Sequence, residues 1–257
     1  MKVLPLENPF GAPVYHEETV SSTFDIARKF AVQGLPHGTV ITADFQDAGR
    51  GRQGRPWVND RGKCLLFTIL LRYGDFSSIP EALALRTGLA VSLAIEDLIP
   101  SLKGQVQIKW PNDVMVCSLK LAGILAEGDG NNVFVGVGVN VSQGEFPEEC
   151  RSKAGSLIQF APDLNEDSRI ILLEKILLWL HMEIEKPPGA LQRHWQESLM
   201  GRLYKKGEIV TFVEGAAESS CLIEGTLSGI GSGGELLIIP KGEGKERAFV
   251  NGELLVY

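Results

Sequence analysis

The chain has 257 residues, of which 44% are hydrophobic and 22% charged, as expected for a globular protein of one large domain or of one large and one small domain. Its formal net charge of -7 argues against a general nucleic-acid or membrane-surface binder, because a negative field repels phosphate groups. The N-terminus is interrupted by Pro5, Pro9 and Gly11 and predicts no signal peptide. No run of about 18 apolar residues predicts a membrane-spanning helix.

The first predicted element is a short helix, capped by Thr23 and ended by Gly34 and Pro36. Two strands follow, over residues 39–45 and 63–72, because β-branched or continuously apolar residues are bounded there by polar segments that contain glycine. The chain therefore begins with helix and sheet in close alternation.

Apolar residues at helical spacing predict a long helix over residues 80–98 and a second one over residues 168–185, which Pro187-Pro188-Gly189 stops. Between these helices lie three strand-like segments, connected by short turns that favour antiparallel pairing: residues 106–110, 119–127 and 132–141. After Leu203 the sequence turns into short β-rich runs typical of a small barrel. We predict an α+β main domain over residues 1–202 and a small β-barrel over residues 203–257.

The segment GRGRQGRPW, residues 49–57 and called the Arg loop below, places Arg50, Arg52 and Arg55 among three glycines. Glycine allows backbone to approach a ligand closely, and guanidinium groups bind carboxylate or phosphate oxygens in pairs. These residues favour a flexible clamp for an anion, with a solvated surface turn as the alternative. The segment also matches G-x-G-x-x-G, but no amphipathic helix follows it, so we reject a dinucleotide-binding motif.

A second cluster is KWPND, residues 109–113, followed shortly by Lys120. A hairpin projects alternate side chains to one face, so Lys109, Asp113 and Lys120 are expected to converge at one end of a sheet. Two lysines and an aspartate suit a nucleotide with bound Mg²⁺. A hairpin with solvated charges remains the alternative.

The strand GVGVNV, residues 136–141, has two positions without side chains on one face, which leaves room for a ligand or for backbone packing, and Asn140 stands at its end. The remaining metal-ligand candidates are scattered along the chain. The histidines have no companion carboxylate in the sequence pattern: His16, His37, His181 and His194. The cysteines predict reduced thiols in the cytosol: Cys64, Cys117, Cys150 and Cys221.

Taken in order, five motifs resemble the catalytic domain of biotin–protein ligases: SSTFD (21–25), FQDAGRGRQGRPW (45–57), KWPNDV (109–114), KLAGILAE (120–127) and GVGVNV (136–141). The resemblance covers about residues 15–200. It implies a mixed, mainly antiparallel sheet flanked by helices, like that of class II aminoacyl-tRNA synthetases and lipoate ligases, with an SH3-like C-terminal barrel. It also implies a cytoplasmic enzyme that forms biotinyl-5′-AMP from biotin and ATP and transfers biotin to a lysine of a carrier protein.

The resemblance assigns roles to individual residues. It implies biotin contacts at the ureido ring and along the loop: Ser22, Thr23, Gln46, Gly49, Arg50, Gly51, Arg52, Lys120 and Gly123. It implies contacts to ATP or the adenylate: Arg52, Arg55, Trp57, Lys109, Asn112, Lys120 and Asn140. Arg52, Lys120 and Asp113 are the implied catalytic residues, and Asp113 is also the candidate to hold Mg²⁺ or to orient the incoming lysine. An Arg loop that orders over the mixed anhydride would exclude water from it.

Two features depart from the family. Phe24 stands where asparagine usually follows Ser-Thr, which puts the affinity for biotin in doubt. About twenty residues precede the Ser-Thr motif, so we expect a ligase without the winged-helix repressor domain of some bacterial members.

Three points stay open. Attachment of lipoate or octanoate uses the same fold, although those enzymes lack the paired Arg-loop and KWPND motifs. A module that binds RNA or DNA would need a basic face and more stacking residues than Trp57. The expected partner is a biotin carboxyl carrier protein or domain, with no nucleic acid or membrane, and the edge strands of the main sheet offer a route either to a homodimer or to carrier docking.

Overall fold

The computed structural model describes residues 1–185, 195–215 and 221–255. Its main sheet has eight strands in the order β1-β2-β3-β4-β8-β7-β6-β5. The bounds are β1 (Lys2–Leu4), β2 (Val14–Val20), β3 (Thr39–Gln46), β4 (Cys64–Arg72), β5 (Gln107–Lys109), β6 (Asp113–Val116), β7 (Leu119–Asp129) and β8 (Asn132–Asn140). The pair β2–β3 is parallel and every other neighbouring pair is antiparallel. The predicted mixed, mainly antiparallel sheet is confirmed.

Helices cover both faces of this sheet. The described helices are α1 (Thr23–Val32), α2 (Leu83–Leu98), α3 (Asp167–Ile184) and α4 (Trp195–Met200). In β4, Phe67 and Ile69 belong to the core cluster that contains α2 and α3, whereas Leu70 belongs to the cluster around α1. A strand buried on both faces reads as an unbroken apolar run, which explains the sequence of β4.

One helical stretch in the described part of the chain, Phe76–Leu98, is long and apolar enough to cross a membrane by length and composition, contrary to the expectation from the sequence. In the structure 61% of its most apolar window is buried inside the molecule. Residues such as Val91 and Ile95 lie in the same core cluster as Leu173 and Ile176 of α3. Packing inside the domain therefore accounts for the apolar character of α2.

A second, five-stranded antiparallel sheet has the order β12-β11-β10-β9-β13. Its strands are β9 (Ile209–Glu214), β10 (Cys221–Ile230), β11 (Leu236–Pro240), β12 (Arg247–Phe249) and β13 (Gly252–Leu254). The strands β12 and β13 occupy opposite edges, yet a connection of two residues between them reaches only about 10 Å. The sheet must therefore curl until its edges meet, as a small barrel does.

The C-terminal sheet packs directly against the main domain. Leu85 and Leu89 of α2 share a core cluster with Phe212 and Leu227 of the C-terminal sheet. Trp110, at the end of β5, belongs to the same cluster and donates a hydrogen bond from its indole nitrogen to Gly234 O over 3.0 Å. This packing brings the C-terminal edge strand β13 close to the Arg loop.

Several predicted boundaries differ from the structure. Ser22, and not Thr23, caps α1, since its hydroxyl accepts a hydrogen bond from Phe24 N. The helix predicted from Pro80 begins at Leu83, after Ala82 in the left-handed conformation with φ of 53°. The residues 187–189 that were expected to stop α3 lie outside the described residues.

The strands β1 and β2 are absent from the sequence prediction, and for β6 the hairpin KWPND predicted only that a strand begins near Asp113, without its bounds. In β2 the segment VYHEETV is buried only at its ends, Val14 and Val20, so it shows no clean alternation of buried and exposed residues. In β6 the four residues DVMV are followed by a two-residue turn, Cys117 and Ser118, both with positive φ. Such a turn usually contains Asn-Gly, so Cys-Ser carried no hairpin signal.

Candidate active site

A cavity of about 290 Å³ opens between the first turn of α1, the Arg loop, the hairpin β5–β6 and the strands β7 and β8. Almost all of the site residues predicted from the sequence line it: Ser22, Thr23, Gln46, Arg50, Gly51, Arg52, Arg55, Trp57, Lys109, Asn112, Asp113, Lys120, Gly123 and Asn140. Gly49 does not line the cavity, because it is buried behind the loop and its carbonyl accepts a hydrogen bond from Trp57 N. Segments distant in sequence thus meet at one site.

The start of α1 forms a polar corner of the cavity. Gln46 Oε1 accepts hydrogen bonds from Thr23 N over 2.7 Å and from Thr23 Oγ1 over 3.0 Å, and Thr23 Oγ1 lies 2.8 Å from Thr68 Oγ1. The backbone of Gln46 is itself fixed by two hydrogen bonds to the side chain of Asn59. Buried polar groups that are held in this way keep their orientation before a ligand binds.

Two glycines of β8 make room for aromatic rings of the protein itself. A Cβ atom added at Gly136 would lie 2.1 Å from the ring of Phe24, and one added at Gly138 would lie 2.6 Å from the indole of Trp57. Gly123 of β7 pairs with Gly138 in register, and a Cβ there would lie 2.9 Å from the same indole. Both glycines of β8 line the cavity, and the space above them holds the side chains of Phe24 and Trp57, which form the cavity floor.

The three charged residues of the hairpin region converge as expected. Lys109 and Asp113 are register partners on β5 and β6, and Lys120 Nζ lies 2.6 Å from Asp113 Oδ1. Burial lowers the pKa of Lys109 to about 8, although the negative charges of Asp113 and Glu253 oppose that shift. These residues form a wall with two cations and one carboxylate, held by the strand ladder, and they are not a solvated hairpin.

The Arg loop leans over the cavity without forming a helix, and its short 3₁₀ turn at Arg52–Gly54 leads by way of an extended segment to β4. Arg50 Nη2 lies 2.5 Å from Asp25 Oδ1, and Arg55 makes two hydrogen bonds to the carboxylate of Glu253, of 2.8 Å and 2.6 Å. Arg52 is partly buried, and this burial lowers its pKa against the opposing effect of Asp113 and Glu253. Arg52 is thus less exposed than Arg50 and Arg55.

Two of the predicted nucleotide contacts are already engaged in the protein's own hydrogen bonds. Asn112 Nδ2 donates to Ile124 O over 2.7 Å, and Asn140 Nδ2 donates to Gly155 O over 2.9 Å. These bonds hold the hairpin turn to β7 and the buried segment at Gly155 to β8. Both side chains line the cavity, yet their donors serve the scaffold.

Sequence reasoning missed Glu253, which lines the same cavity from the C-terminal sheet. Its partner Arg55 lies 198 positions earlier in the chain. No local pattern marks a glutamate in a short edge strand as part of a distant site. Only the packing of the second sheet on the first brings the two together.

The described residues contain no cluster of three or more His, Cys, Asp or Glu side chains arranged to hold a metal ion. Asp113 is a single carboxylate on the cavity wall, which fits Mg²⁺ because this ion commonly takes one or two carboxylates together with substrate phosphates and water. The arrangement therefore suits a metal that arrives with a nucleotide and not a resident metal cage.

Two histidines have carboxylate neighbours that no pattern in the sequence indicated. His16 Nε2 lies 3.3 Å from Asp44 Oδ2, and His37 Nε2 lies 3.1 Å from Glu185 Oε1. The residues that line the cavity include neither histidine, so both pairs support the scaffold. His194 lies outside the described residues.

The fold agrees with that of solved enzymes. A biotin protein ligase from Aquifex aeolicus, in complex with biotin and ATP, superposes with a TM-score of 0.77 and 28% identity, over 95% of this chain and 98% of that chain. A biotin protein ligase from Leishmania major, in complex with biotinyl-5-AMP, shares the fold at 22% identity and a TM-score of 0.65, over 93% of this chain and 98% of that chain. The architecture is therefore that of the biotin protein ligases.

Sequence comparison adds the family. The sequence model of the biotin/lipoate A/B protein ligase family matches residues 17–143, so this segment carries the domain of that family. It is 36% identical over 172 residues to a biotin–[acetyl-CoA-carboxylase] ligase of Mycobacterium tuberculosis, covering 63% of each chain. It is 34% identical over 165 residues to the bifunctional ligase/repressor BirA of Bacillus subtilis, covering 62% of this chain and 50% of the relative. The chain thus spans about half to two thirds of the length of these curated relatives.

Proposed function

We propose that the chain is an ATP-dependent biotin–protein ligase. It would form biotinyl-5′-AMP from biotin and ATP, and then transfer biotin to a lysine of a biotin carboxyl carrier domain. The observation that carries this proposal is the meeting of a polar corner, a cationic wall and the Arg loop around one cavity. The likeness to ligases whose structures hold biotin, ATP or biotinyl-5-AMP supports the same assignment.

The acid would lie with its polar ring at the corner formed by Ser22, Thr23 and Gln46. The hydroxyl and amide groups there are buried, so a ligand that satisfies them gains more than one that leaves them unpaired. The aliphatic chain of the acid would cross the floor made by Phe24 and Trp57. This route would lead the carboxylate toward Lys120, whose Nζ lies 5.7 Å from the centroid of the Trp57 ring.

Adenylation is a displacement at the α-phosphorus by the carboxylate, with pyrophosphate as the leaving group. Lys120 and Lys109 would stabilise the negative charge that gathers on the phosphoryl oxygens, from positions that the strands fix beforehand. Mg²⁺ held by Asp113 and phosphate oxygens would neutralise part of the triphosphate charge. Arg52 would close over the product and keep water from the anhydride.

In the second step the neutral amine of a carrier lysine attacks the acyl carbon, and AMP leaves with the electron pair of the broken acyl–phosphate bond. Adenylate is a good leaving group, so the reaction requires little acid–base machinery from the protein. Asp113 would orient the incoming amine. The free thiols of Cys64, Cys117 and Cys150 support our proposal of a reducing, cytoplasmic location.

The deciding experiment is exchange of labelled pyrophosphate into ATP, with biotin, lipoate and octanoate as separate acids. Exchange that requires biotin and Mg²⁺ would support the proposal. Exchange with lipoate or octanoate alone would contradict it, and Phe24 would then be the first residue to substitute. Transfer of label from biotin to an isolated carrier domain then tests the second step.

A further inference from the structure

The Arg loop is tied down at two points by carboxylates that belong to different parts of the molecule. Arg50 pairs with Asp25 of α1, a neighbour within the main domain. Arg55 pairs with Glu253 of β13, which belongs to the C-terminal sheet. The second tie is bidentate, and this geometry makes an arginine–carboxylate pair both stronger and more directional than a single contact.

The backbone of Glu253 is fixed independently of the loop. Glu253 pairs with Val213 of β9, and its neighbour Leu254 is fully buried opposite Phe212. Gly252 on the other side has a φ of 142°, and a Cβ there would lie 2.3 Å from the ring of Phe212. The carboxylate therefore projects from a fixed strand toward the glycine-rich Arg loop.

Glu253 also interacts electrostatically with the charged residues of the cavity. Hydrogen bonds from Arg55 hold the pKa of Glu253 below its usual value, and the positive charges of Arg55, Lys109 and Arg52 add to that effect. The main-chain carbonyl of the preceding residue, Gly252, lies 3.5 Å from Arg52 Nη2. Strand β13 thus contacts two of the three arginines of the loop.

We propose that Glu253 is a positioning residue that latches the Arg loop over the cavity through Arg55. The C-terminal sheet then forms part of the enclosure that retains the acyl adenylate. This inference rests on the proposed function, because it names the regulation of that same site. Glu253 does not contact the reacting atoms, so it should govern release of the adenylate more than its formation.

The expected effect is modest because Arg55 is 61% exposed, and exposed ion pairs contribute little. We expect Glu253→Gln to speed release of bound adenylate about two- to fivefold. Formation of the adenylate should change less, since Lys120 and Asp113 are untouched. Hydrogen exchange at residues 49–57 should become faster in the same variant, because the loop opens more often.

The experiment uses the full chain with Glu253→Gln, Arg55→Gln and the double variant. Release of labelled biotinyl-5′-AMP is followed after dilution into unlabelled biotin and ATP, and loop opening is followed by hydrogen exchange without ligand. The matched control is Glu224→Gln, which removes an exposed pair with Lys241 of 3.2 Å in the same sheet. A thermal unfolding curve of each variant separates loop effects from general destabilisation.

The latch is supported if Glu253→Gln speeds both release and loop exchange, Glu224→Gln changes neither, and Glu253→Gln has no further effect in the Arg55→Gln background. It is overturned if loop exchange stays at the wild-type rate, or if the effect of Glu253→Gln is undiminished without Arg55. Failure of the proposed function is a separate result. In that case the wild-type protein would show no biotin-dependent exchange of pyrophosphate, while the hydrogen-exchange comparison would still decide the latch.

Discussion

The two sides of the cavity hold their positive charges in different ways. On the strand wall Lys109 is 2% exposed and is placed by the register of β5 and β6. On the Arg loop the side chains of Arg50 and Arg55 are 48% and 61% exposed, and surface carboxylates hold them. Charges fixed by a buried ladder are in place before the substrate arrives, whereas exposed ion pairs can break and re-form at little cost. Under the proposed function, we therefore expect the wall to serve the chemical step and the loop to retain the intermediate.

Removing Lys120, one of the two cations of the wall, should have the largest effect. We expect Lys120→Ala to lower biotin-dependent pyrophosphate exchange about hundredfold to thousandfold, since it deletes a preorganised charge next to the reacting phosphate. The control is Lys241→Ala, because that lysine is 75% exposed on the C-terminal sheet and does not line the cavity. Normal exchange in the Lys120 variant would move the catalytic cation to another residue and break the division between wall and loop.

The aromatic floor of the cavity offers the next test. The rings of Phe24 and Trp57 can pack on β8 only because Gly136 and Gly138 have no side chains. In Gly136→Ala the added Cβ would lie 2.1 Å from Cε2 of the Phe24 ring, which is far too close for two carbon atoms. Such overpacking costs about 1–3 kcal/mol of the free energy of unfolding. Urea unfolding measures the loss, and Gly144→Ala is the control because nothing lies within 4 Å of its added Cβ. Partial recovery in the double variant Gly136→Ala with Phe24→Leu would identify the ring as the cause, and an unchanged midpoint for Gly136→Ala alone would contradict this packing.

The wall and the Arg loop also differ in how far their interactions could be predicted from the sequence. The hairpin KWPND predicted that Lys109, Asp113 and Lys120 meet. This was possible because the alternation of side chains along a strand follows from the local sequence. The glycines of GVGVNV were visible, but the rings that fill them come from α1 and from the loop. Glu253 carried no signal, since its partner Arg55 depends on how two sheets pack. Interactions between strands that are adjacent in the sequence are therefore predictable here, and those between distant elements are not.

Arg52 tests the loop side of the comparison. We expect Arg52→Ala to speed release of biotinyl-5′-AMP about tenfold, as the loss of one charge-assisted contact of about 1.5 kcal/mol would do. The affinity for biotin alone should change much less, because the polar corner at Thr23 and Gln46 is intact. Release is measured by chase and biotin affinity by calorimetry. The reverse pattern, weaker biotin binding with slow release of adenylate, would place Arg52 in the acid pocket instead.

The smallest effect concerns the pH dependence of the wall. Burial brings the pKa of Lys109 to about 8, so this residue is mostly charged at pH 7 and mostly neutral at pH 9. Bound phosphate favours the charged form, and the apparent affinity for ATP must therefore fall as the pH rises through this window. The KM for ATP in pyrophosphate exchange should increase about fivefold between pH 7 and 9, less than the roughly tenfold change in the charged fraction of Lys109. Lys109→Arg keeps its charge throughout and should flatten the profile, while Lys109→Met should bind ATP more weakly at pH 7 and show no further change toward pH 9. A wild-type profile that is flat, or that Lys109→Arg leaves unaltered, would show that the wall binds phosphate without this lysine.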